Sequence, residues 1–246
     1  MRGLLLAGGL GTRLRPYTER VPKCLIPILG RPLLDYWLDL TLGQGMERVL
    51  VNTHYLAEQV RAHVGASRWR DQIELVHEDQ LLGTAGTILR NRAFLGEKTF
   101  LVAHADNLTR FDLKAYVARH SDRPAGVLAT MMTFHTSDPQ TCGIVEEDTR
   151  GVVMRFHEKI VNPPGNLANG AIYLFEPELF AVMAGIEGPV SDLSTQVLPQ
   201  LMGRMQSHPN SDYLRDIGTV ASLRLAEAEF GHLAMPGREL SNGVPR

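Results

Sequence analysis

Apolar and polar positions follow two different rhythms along this chain, and the rhythm changes near its middle. Residues 3–7 (GLLLA) form a short continuous apolar run closed by glycine, the pattern of a strand covered on both faces. In PLLDYWLDLTLGQG (32–45), Leu34, Trp37, Leu38 and Thr41 recur at helical spacing, and the segment ends at Gly43 or Gly45. RVLVNT (48–53) reads as the next strand, residues 56–64 as a helix and IELVHE (73–78) as a third strand. TAGTILRN (84–91) reads as a short helix opened by Gly83 and Thr84, and TFLVAHAD (99–106) as a fourth strand ending on Asp106. Alternating strand and helix predicts right-handed βαβ units around a parallel sheet.

After residue 124 the runs shorten. AGVLATMMTFH (125–135), GIVEED (143–148), GVVMRFHEK (151–159) and NGAIYLF (169–175) are strand-like and separated by polar turns. They predict a mixed or antiparallel extension of the same sheet. Helices are expected at about 177–184, at 192–203 with Ser191 or Asp192 as N-cap, and at about 219–231. The fold class is therefore α/β: a Rossmann-like, mixed, mostly parallel central sheet flanked by helices, with a small antiparallel extension. No repeat or linker divides the chain, so residues 1–231 are expected to form one domain and 232–246 a loosely ordered tail.

Composition narrows the function classes. The chain has 246 residues, 44% of them hydrophobic, enough for one sizeable core. Its formal net charge is -2 and no long basic run exists, so neither a nucleic-acid nor a membrane partner is expected. No apolar stretch approaches a membrane span, and the apolar start is too short for a signal region. Cys24 and Cys142 fit two free thiols in a cytoplasmic protein better than a disulfide framework or a zinc site. The nine histidines show no metal-ligand spacing. Oligomeric state is not written in composition, and a homo-oligomer stays open.

The chemistry starts at the first loop. LLLAGGLGTRLRPYTERVPK places three glycines, Arg13 and Lys23 directly after the first strand. Glycines there let main chain approach a ligand, and successive N–H groups form an anion-binding concavity. A Walker loop needs Lys-Ser or Lys-Thr after its last glycine, but Thr12 and Arg13 follow Gly11. A dinucleotide fingerprint starting at Gly9 needs glycine at position 14, where Leu14 stands. A nicotinamide-dependent oxidoreductase is thereby disfavoured.

The stretch LLLAGGLGTRLRPYTERVPKCLIPILGRPLL resembles the signature of the sugar-phosphate nucleotidyltransferases, LAGG-x-GTRL followed by P-K-x-L-x-P. These enzymes join a nucleoside triphosphate to a sugar 1-phosphate and release pyrophosphate. The resemblance continues in order through LLGTAGTI, AHADN, CGIVEED, FHEKIVNPPGNLANGAIYLF and YLRDIGT. It implies that Leu6, Ala7, Gly8, Gly9, Gly11, Thr12, Arg13 and Lys23 face the nucleotide phosphates, with Arg13 and Lys23 catalytic. Glu78, Gln80, Gly83 and Thr84 would face the nucleotide from the second glycine segment. Asp106 and Asp216 would hold Mg²⁺. Asn107, Gly143, Glu158, Lys159, Asn169 and Gly170 would take the sugar phosphate, in the antiparallel extension. The chain departs from the pattern at Ala105, where glycine is usual, and at Cys142, where tyrosine is common.

Base and sugar are not settled by one sequence. PKCLIPILGRPLL resembles mannose-1-phosphate guanylyltransferases, with a related hexose or heptose as substrate, whereas ADN and CGIVEED lean toward thymidylyltransferases. Uridylyltransferases of amino sugars or N-acetylmuramate also stay open. A silent relative that binds sugar nucleotide as a regulator is the reading from another class. Retention of Arg13, Lys23, Asp106 and Asp216 favours the enzyme.

Overall fold

The computed structural model describes residues 1–232. In chain order its first half contains β1 (Arg2–Leu6), the hairpin β2 (Pro27–Ile28) and β3 (Arg31–Pro32), α1 (Leu33–Thr41), β4 (Arg48–Thr53), α2 (Ala57–Ala66), β5 (Ile73–His77), α3 (Gly83–Arg90), α4 (Arg92–Leu95) and β6 (Phe100–His104). Strand β1 lies between β4 and β6, and β5 lies outside β4, all parallel. The continuous apolar runs follow from burial on both faces. Leu5, Val51 and Leu101 enter one core layer with Trp37 and Leu38 of α1. Leu4, Leu50 and Val102, one residue out of phase, enter the opposite layer with Ile88 and Phe94.

The chain moves from β1 outward to β4 and β5, then returns to the other side of β1 as β6. The loops leaving the carboxyl ends of β1 and β6 diverge there and open a crevice, the usual ligand place in an open α/β sheet.

The second half contains β7 (Asn107–Arg110), α5 (Leu113–Ser121), β8 (Ala129–His135), β9 (Gly143–Glu147), β10 (Val153–Glu158), β11 (Leu167–Phe175), α6 (Leu179–Ala184), β12 (Met205–Pro209), β13 (Tyr213–Asp216) and α7 (Val220–Phe230). Strand β11 pairs antiparallel with β6 and with β8, and β12 runs parallel to β8. The hairpin β9–β10 joins the start of β11 through Ala168 opposite Ile144. Strand β11 pairs with β8, with β6 through residues 172–175 and with β9 at Ala168, and its register with β8 shifts between Asn169 and Tyr173, where Ala171 takes φ 55°. The sheet is thus mixed, parallel in its first half, with helices on both faces and the expected antiparallel extension.

Seven elements are present where none was expected: the short β2, β3 and α4, and α5, β7, β12 and β13. Helix α5 carried a legible signal, since Asp112 caps it by accepting from the N–H groups of Lys114 and Ala115. Strand β12 did not: Gln206 and Ser207 are polar yet buried, held by hydrogen bonds to Thr130 and Glu147. The helix expected at 192–203 is instead a wide turn over Leu193–Val197 followed by a tight one over Leu198–Leu201. Pro199 lies near the change and lacks the N–H that a regular helix needs. The expectation of a loose tail falls, apart from His232, outside the described residues.

Candidate active site

Two loops meet in the crevice. The first leaves β1 at Ala7 and reaches Gly11, which takes φ 62°. A Cβ at Gly11 would lie 2.8 Å from Thr18 Cγ2 and 3.3 Å from Lys23 Cβ, so only glycine lets the chain turn here. A single helical turn follows, Thr12–Leu14. Leu14 is fully buried and Arg13 is exposed, so one side chain anchors the turn while its neighbour is held out. The second loop leaves β6, where the Ala105 N–H donates to the Leu6 carbonyl at 3.0 Å, and carries Asp106 into β7.

Asp216 arrives from far along the chain. Strand β13 pairs antiparallel with β7 and sets Asp216 opposite Asn107, and the Ile217 N–H donates to the Asp106 carbonyl at 3.2 Å. Lys23 lies between the two acids: its Nζ is 2.6 Å from Asp106 Oδ2 and 3.7 Å from Asp216 Oδ1. The Lys23 side chain is only 8% exposed. Arg13 Nη2 approaches the same place, 3.1 Å from where a Gly218 Cβ would stand. Two cations and two anions therefore converge beside the glycine loop.

Their electrostatics differ. Burial opposes ionisation of Asp106, but the Lys23 ammonium and His104 outweigh it and hold the carboxyl below its usual range. Asp216 is pushed up, by burial first and by the Asp106 charge next, with Lys23 and Arg13 opposing. Burial is the main influence on His104 and lowers it, and its buried Nε2 has no hydrogen-bond partner among the described residues.

A pocket of about 230 Å³ opens beside these groups, with Gly8, Gly9, Asn52, Glu78, Gly83 and Asp106 in its wall. Leu6, Ala7, Lys23 and Thr84 also line it, whereas Gly11, Thr12, Arg13 and Gln80 do not. Glu78 is wholly buried. Its carboxylate accepts from Thr87 Oγ1 at 2.6 Å, from Asn52 Nδ2 at 3.2 Å and from the Leu82 N–H at 3.2 Å. Asn52 in turn accepts from the Ala7 N–H at 2.7 Å. One chain of hydrogen bonds thus ties the first glycine loop to the start of α3. It also explains Gly8, since a Cβ there would meet Asn52 Nδ2 at 2.9 Å.

Asn52 was not among the residues singled out from sequence. The available signal was a polar side chain at the carboxyl end of a parallel apolar strand, on the ligand rim. Asn52→Ala leaves the Ala7 N–H and one Glu78 lone pair unpaired. Urea unfolding should show a loss of about 1–3 kcal/mol.

Gly83 opens α3 at φ 76°. A Cβ there would collide with the Ser191 carbonyl oxygen, which accepts from the Ala85 N–H at 2.9 Å. Thr84 Oγ1 accepts from the Leu193 N–H at 2.7 Å. The wide turn after Asp192 therefore clamps the start of α3 and shapes the pocket edge.

The remaining predicted residues lie on β7 and the antiparallel strands. Asn107 is buried and donates to the Gly170 carbonyl at 3.2 Å. Gly170 packs tightly, for a Cβ there would meet Leu214 Cδ1 at 2.8 Å on the strand that carries Asp216. Gly143 faces Glu158, with Oε2 2.8 Å from its Cβ position. Lys159 pairs with Glu158 at 3.2 Å and is otherwise exposed. Asn169 holds the bend of β11: Nδ2 donates to Tyr173 Oη at 2.7 Å and Oδ1 accepts from the Ala171 N–H at 2.9 Å. Its amide is engaged by the protein on both sides.

Comparison with known proteins matches the chain to one family. The family model described as Nucleotidyl transferase matches residues 2–231. Among curated relatives, a UTP–glucose-1-phosphate uridylyltransferase of Synechocystis is 30% identical over 99% of this chain and 68% of its own length. A mannose-1-phosphate guanylyltransferase of Mycobacterium tuberculosis is 32% identical over 88% of this chain and 60% of its own length. The chain thus spans about two thirds or less of the curated relatives it matches. Among solved structures, a Bacillus anthracis protein assigned as a glucose-1-phosphate thymidylyltransferase superposes with TM-score 0.85 at 22% identity, covering 96% of this chain and 97% of that one. HddC from Yersinia pseudotuberculosis superposes with TM-score 0.77 at 23% identity, covering 93% and 99%. It has also been solved complexed with GMP-PN. These structural likenesses show the fold.

Proposed function

The chain belongs to the nucleotidyl transferase family, and we propose that it joins a nucleoside triphosphate to a sugar 1-phosphate, giving a nucleoside-diphosphate sugar and pyrophosphate. The observation that carries this reading is the convergence of Arg13, Lys23, Asp106 and Asp216 beside a glycine loop at the switch point of the sheet. A silent regulator has no need of that set.

The reaction brings two anions together, so positioning and charge neutralisation are the main requirements. The attacking phosphate is largely ionised near neutrality and needs no general base. Arg13, held out on its turn, forks onto the departing pyrophosphate. Lys23 neutralises the α-phosphate. Main-chain N–H groups of residues 8–11 line the triphosphate. Gly83 and Thr84, with Glu78 and Gln80 nearby, shape the nucleotide side, and Glu78 acts there through its buried hydrogen bonds. Glu158 and Lys159 take the sugar hydroxyls and phosphate. Gly143 makes room for Phe156 and Glu158 and Gly170 for Leu214, while Asn107 and Asn169 hold the strands of that side.

Asp106 and Asp216 would hold Mg²⁺, whose charge, when bound, offsets that of the two phosphates. The donor set fits: both are hard oxygen ligands, and the structure already sets a cation against them. Among the described residues no group of three or more ligand side chains gathers, which suits an ion that keeps places for phosphate and water.

The favoured substrate pair is GTP with mannose 1-phosphate or a related hexose or heptose 1-phosphate. It is supported by PKCLIPILGRPLL and by the guanylyltransferase relative. The thymidylyl alternative is supported by a glucose-1-phosphate thymidylyltransferase at 31% identity, and a uridylyl one by a relative named for glucose 1-phosphate at 30%. No helix among the described residues is long and apolar enough to cross a membrane, and the reading places the reaction in the cytoplasm, where both substrates are soluble. Four triphosphates assayed against several sugar 1-phosphates with Mg²⁺, reading pyrophosphate, test the proposal. One pair should stand clear of the rest. A folded protein that releases no pyrophosphate with any pair would overturn it.

A further inference from the structure

Lys23 stands where phosphate neutralisation alone does not require it. Its ammonium sits against Asp106 Oδ2 at 2.6 Å and near Asp216 Oδ1 at 3.7 Å, and is almost fully buried between them. These are the two carboxylates read above as the ligands of a divalent cation. Mg²⁺ approaches its oxygen ligands to about 2.0–2.1 Å. A dication bound to that Asp106 oxygen would therefore lie within about 5 Å of the ammonium, two like charges competing for the same carboxylate.

We propose that Lys23 is the internal counter-ion of the cation-free site, and that its ammonium and a divalent cation exclude each other between Asp106 and Asp216. Entry of the cation drives the ammonium off the two acids and frees it for a nucleotide phosphate. The cation and the triphosphate thereby help each other to bind, beyond any direct contact between them. The inference rests on the reading of Asp106 and Asp216 as the cation's ligands.

The local structure suits such an exchange. The backbone of Lys23 is fixed on the short turn Lys23–Leu25, with Cys24 buried beneath it and the Ile26 N–H donating to the Lys23 carbonyl at 3.1 Å. Only the side chain is left to move. Lysine is a compact point charge on a flexible stem with three rotatable donors, able to change partners, whereas an arginine fork would lock onto one carboxylate. Without a cation, two carboxylates brought this close need a positive charge, and Lys23 is the nearest one.

Mn²⁺ binding to the full chain, followed by electron paramagnetic resonance without nucleotide, tests this directly. Lys23→Met and Lys23→Ala, each checked for folding by circular dichroism, should bind Mn²⁺ at least about tenfold more tightly than the parent, because the competing charge is gone. A non-hydrolysable triphosphate should shrink that difference, since in the parent the ammonium has then left the acids. Folded lysine variants that bind Mn²⁺ no more tightly than the parent overturn the proposal, as does a difference that triphosphate leaves unchanged. Asp106→Asn and Asp216→Asn separate the two readings. If they lose Mn²⁺ while the lysine variants gain nothing, only the counter-ion role fails. If they bind Mn²⁺ like the parent, the ligand reading fails and the exchange with it.

Discussion

Asp216→Asn is expected to lower turnover about a thousandfold while the protein stays as stable as the parent, or gains stability. The activity loss follows from the proposed ligand role: losing one of the two carboxylates that would hold Mg²⁺ costs about 4 kcal/mol of transition-state stabilisation. The stability side has the opposite sign. Burial and the neighbouring Asp106 charge raise the Asp216 pKa. A carboxyl raised on folding favours the native state while protonated, and that contribution is lost as pH climbs from the usual carboxylate range through the raised value. At neutral pH the charged form therefore carries a penalty, which asparagine removes. Among the described residues its one ion pair is the 3.7 Å contact with Lys23, and the side chain is 58% exposed, so little is lost in return. Steady-state kinetics beside a thermal melt checks both halves. A variant that keeps full activity, or one that melts well below the parent, contradicts the account.

Arg13→Ala should cost about a hundred- to a thousandfold in kcat, the scale of losing one preorganised donor to developing charge. The fold should survive, because Arg13 is exposed and its turn is anchored by Leu14 and shaped by Gly11. Arg13→Lys should recover only part of the loss, since an ammonium cannot reproduce the planar pair of donors that matches pyrophosphate. Comparing kcat in the forward direction with that of pyrophosphorolysis gives a second check, for both directions pass through the same charge. A variant with unchanged kcat would remove Arg13 from the reaction.

The site depends on contacts distant from it. Arg215 makes two bonds to Glu229 on α7, at 2.7 and 2.6 Å, and Tyr213 Oη donates to the same carboxylate at 3.0 Å. These pin the ribbon β13–β7, and the ribbon carries Asp216 to Asp106. Asn107 donating to Gly170 ties the ribbon to the antiparallel strands. The acids are thus adjacent because the ribbon is held on one side by α7 and on the other by the antiparallel strands.

Much of this was legible in one dimension, and for identifiable reasons. The apolar runs 3–7, 48–53 and 99–104 had to be strands covered on both faces, because side chains one residue apart enter different core layers. The order of strands and helices implied a parallel sheet with a crevice at its rim. The glycines and cations after the first strand implied a site for phosphates. Those inferences rest on local steric and solvation rules, which a sequence carries at each position. Other features are decided only by tertiary contact. Polar β12 is held as a strand by its parallel pairing with β8 and by Thr130 and Glu147, which accept from Gln206 Nε2 and Ser207 Oγ. Asn52 joins the site because Ala7 and Glu78 meet it across the sheet. Asn169 turns inward on its own strand because Tyr173 and Ala171 take its amide. Lys23 lies on both acids because β13 folds back along β7 and brings Asp216 within its reach. Local rules act through the chain, so residue order transmits them. Pairing between distant polar groups depends on which surfaces pack, and that is known only once the core has formed.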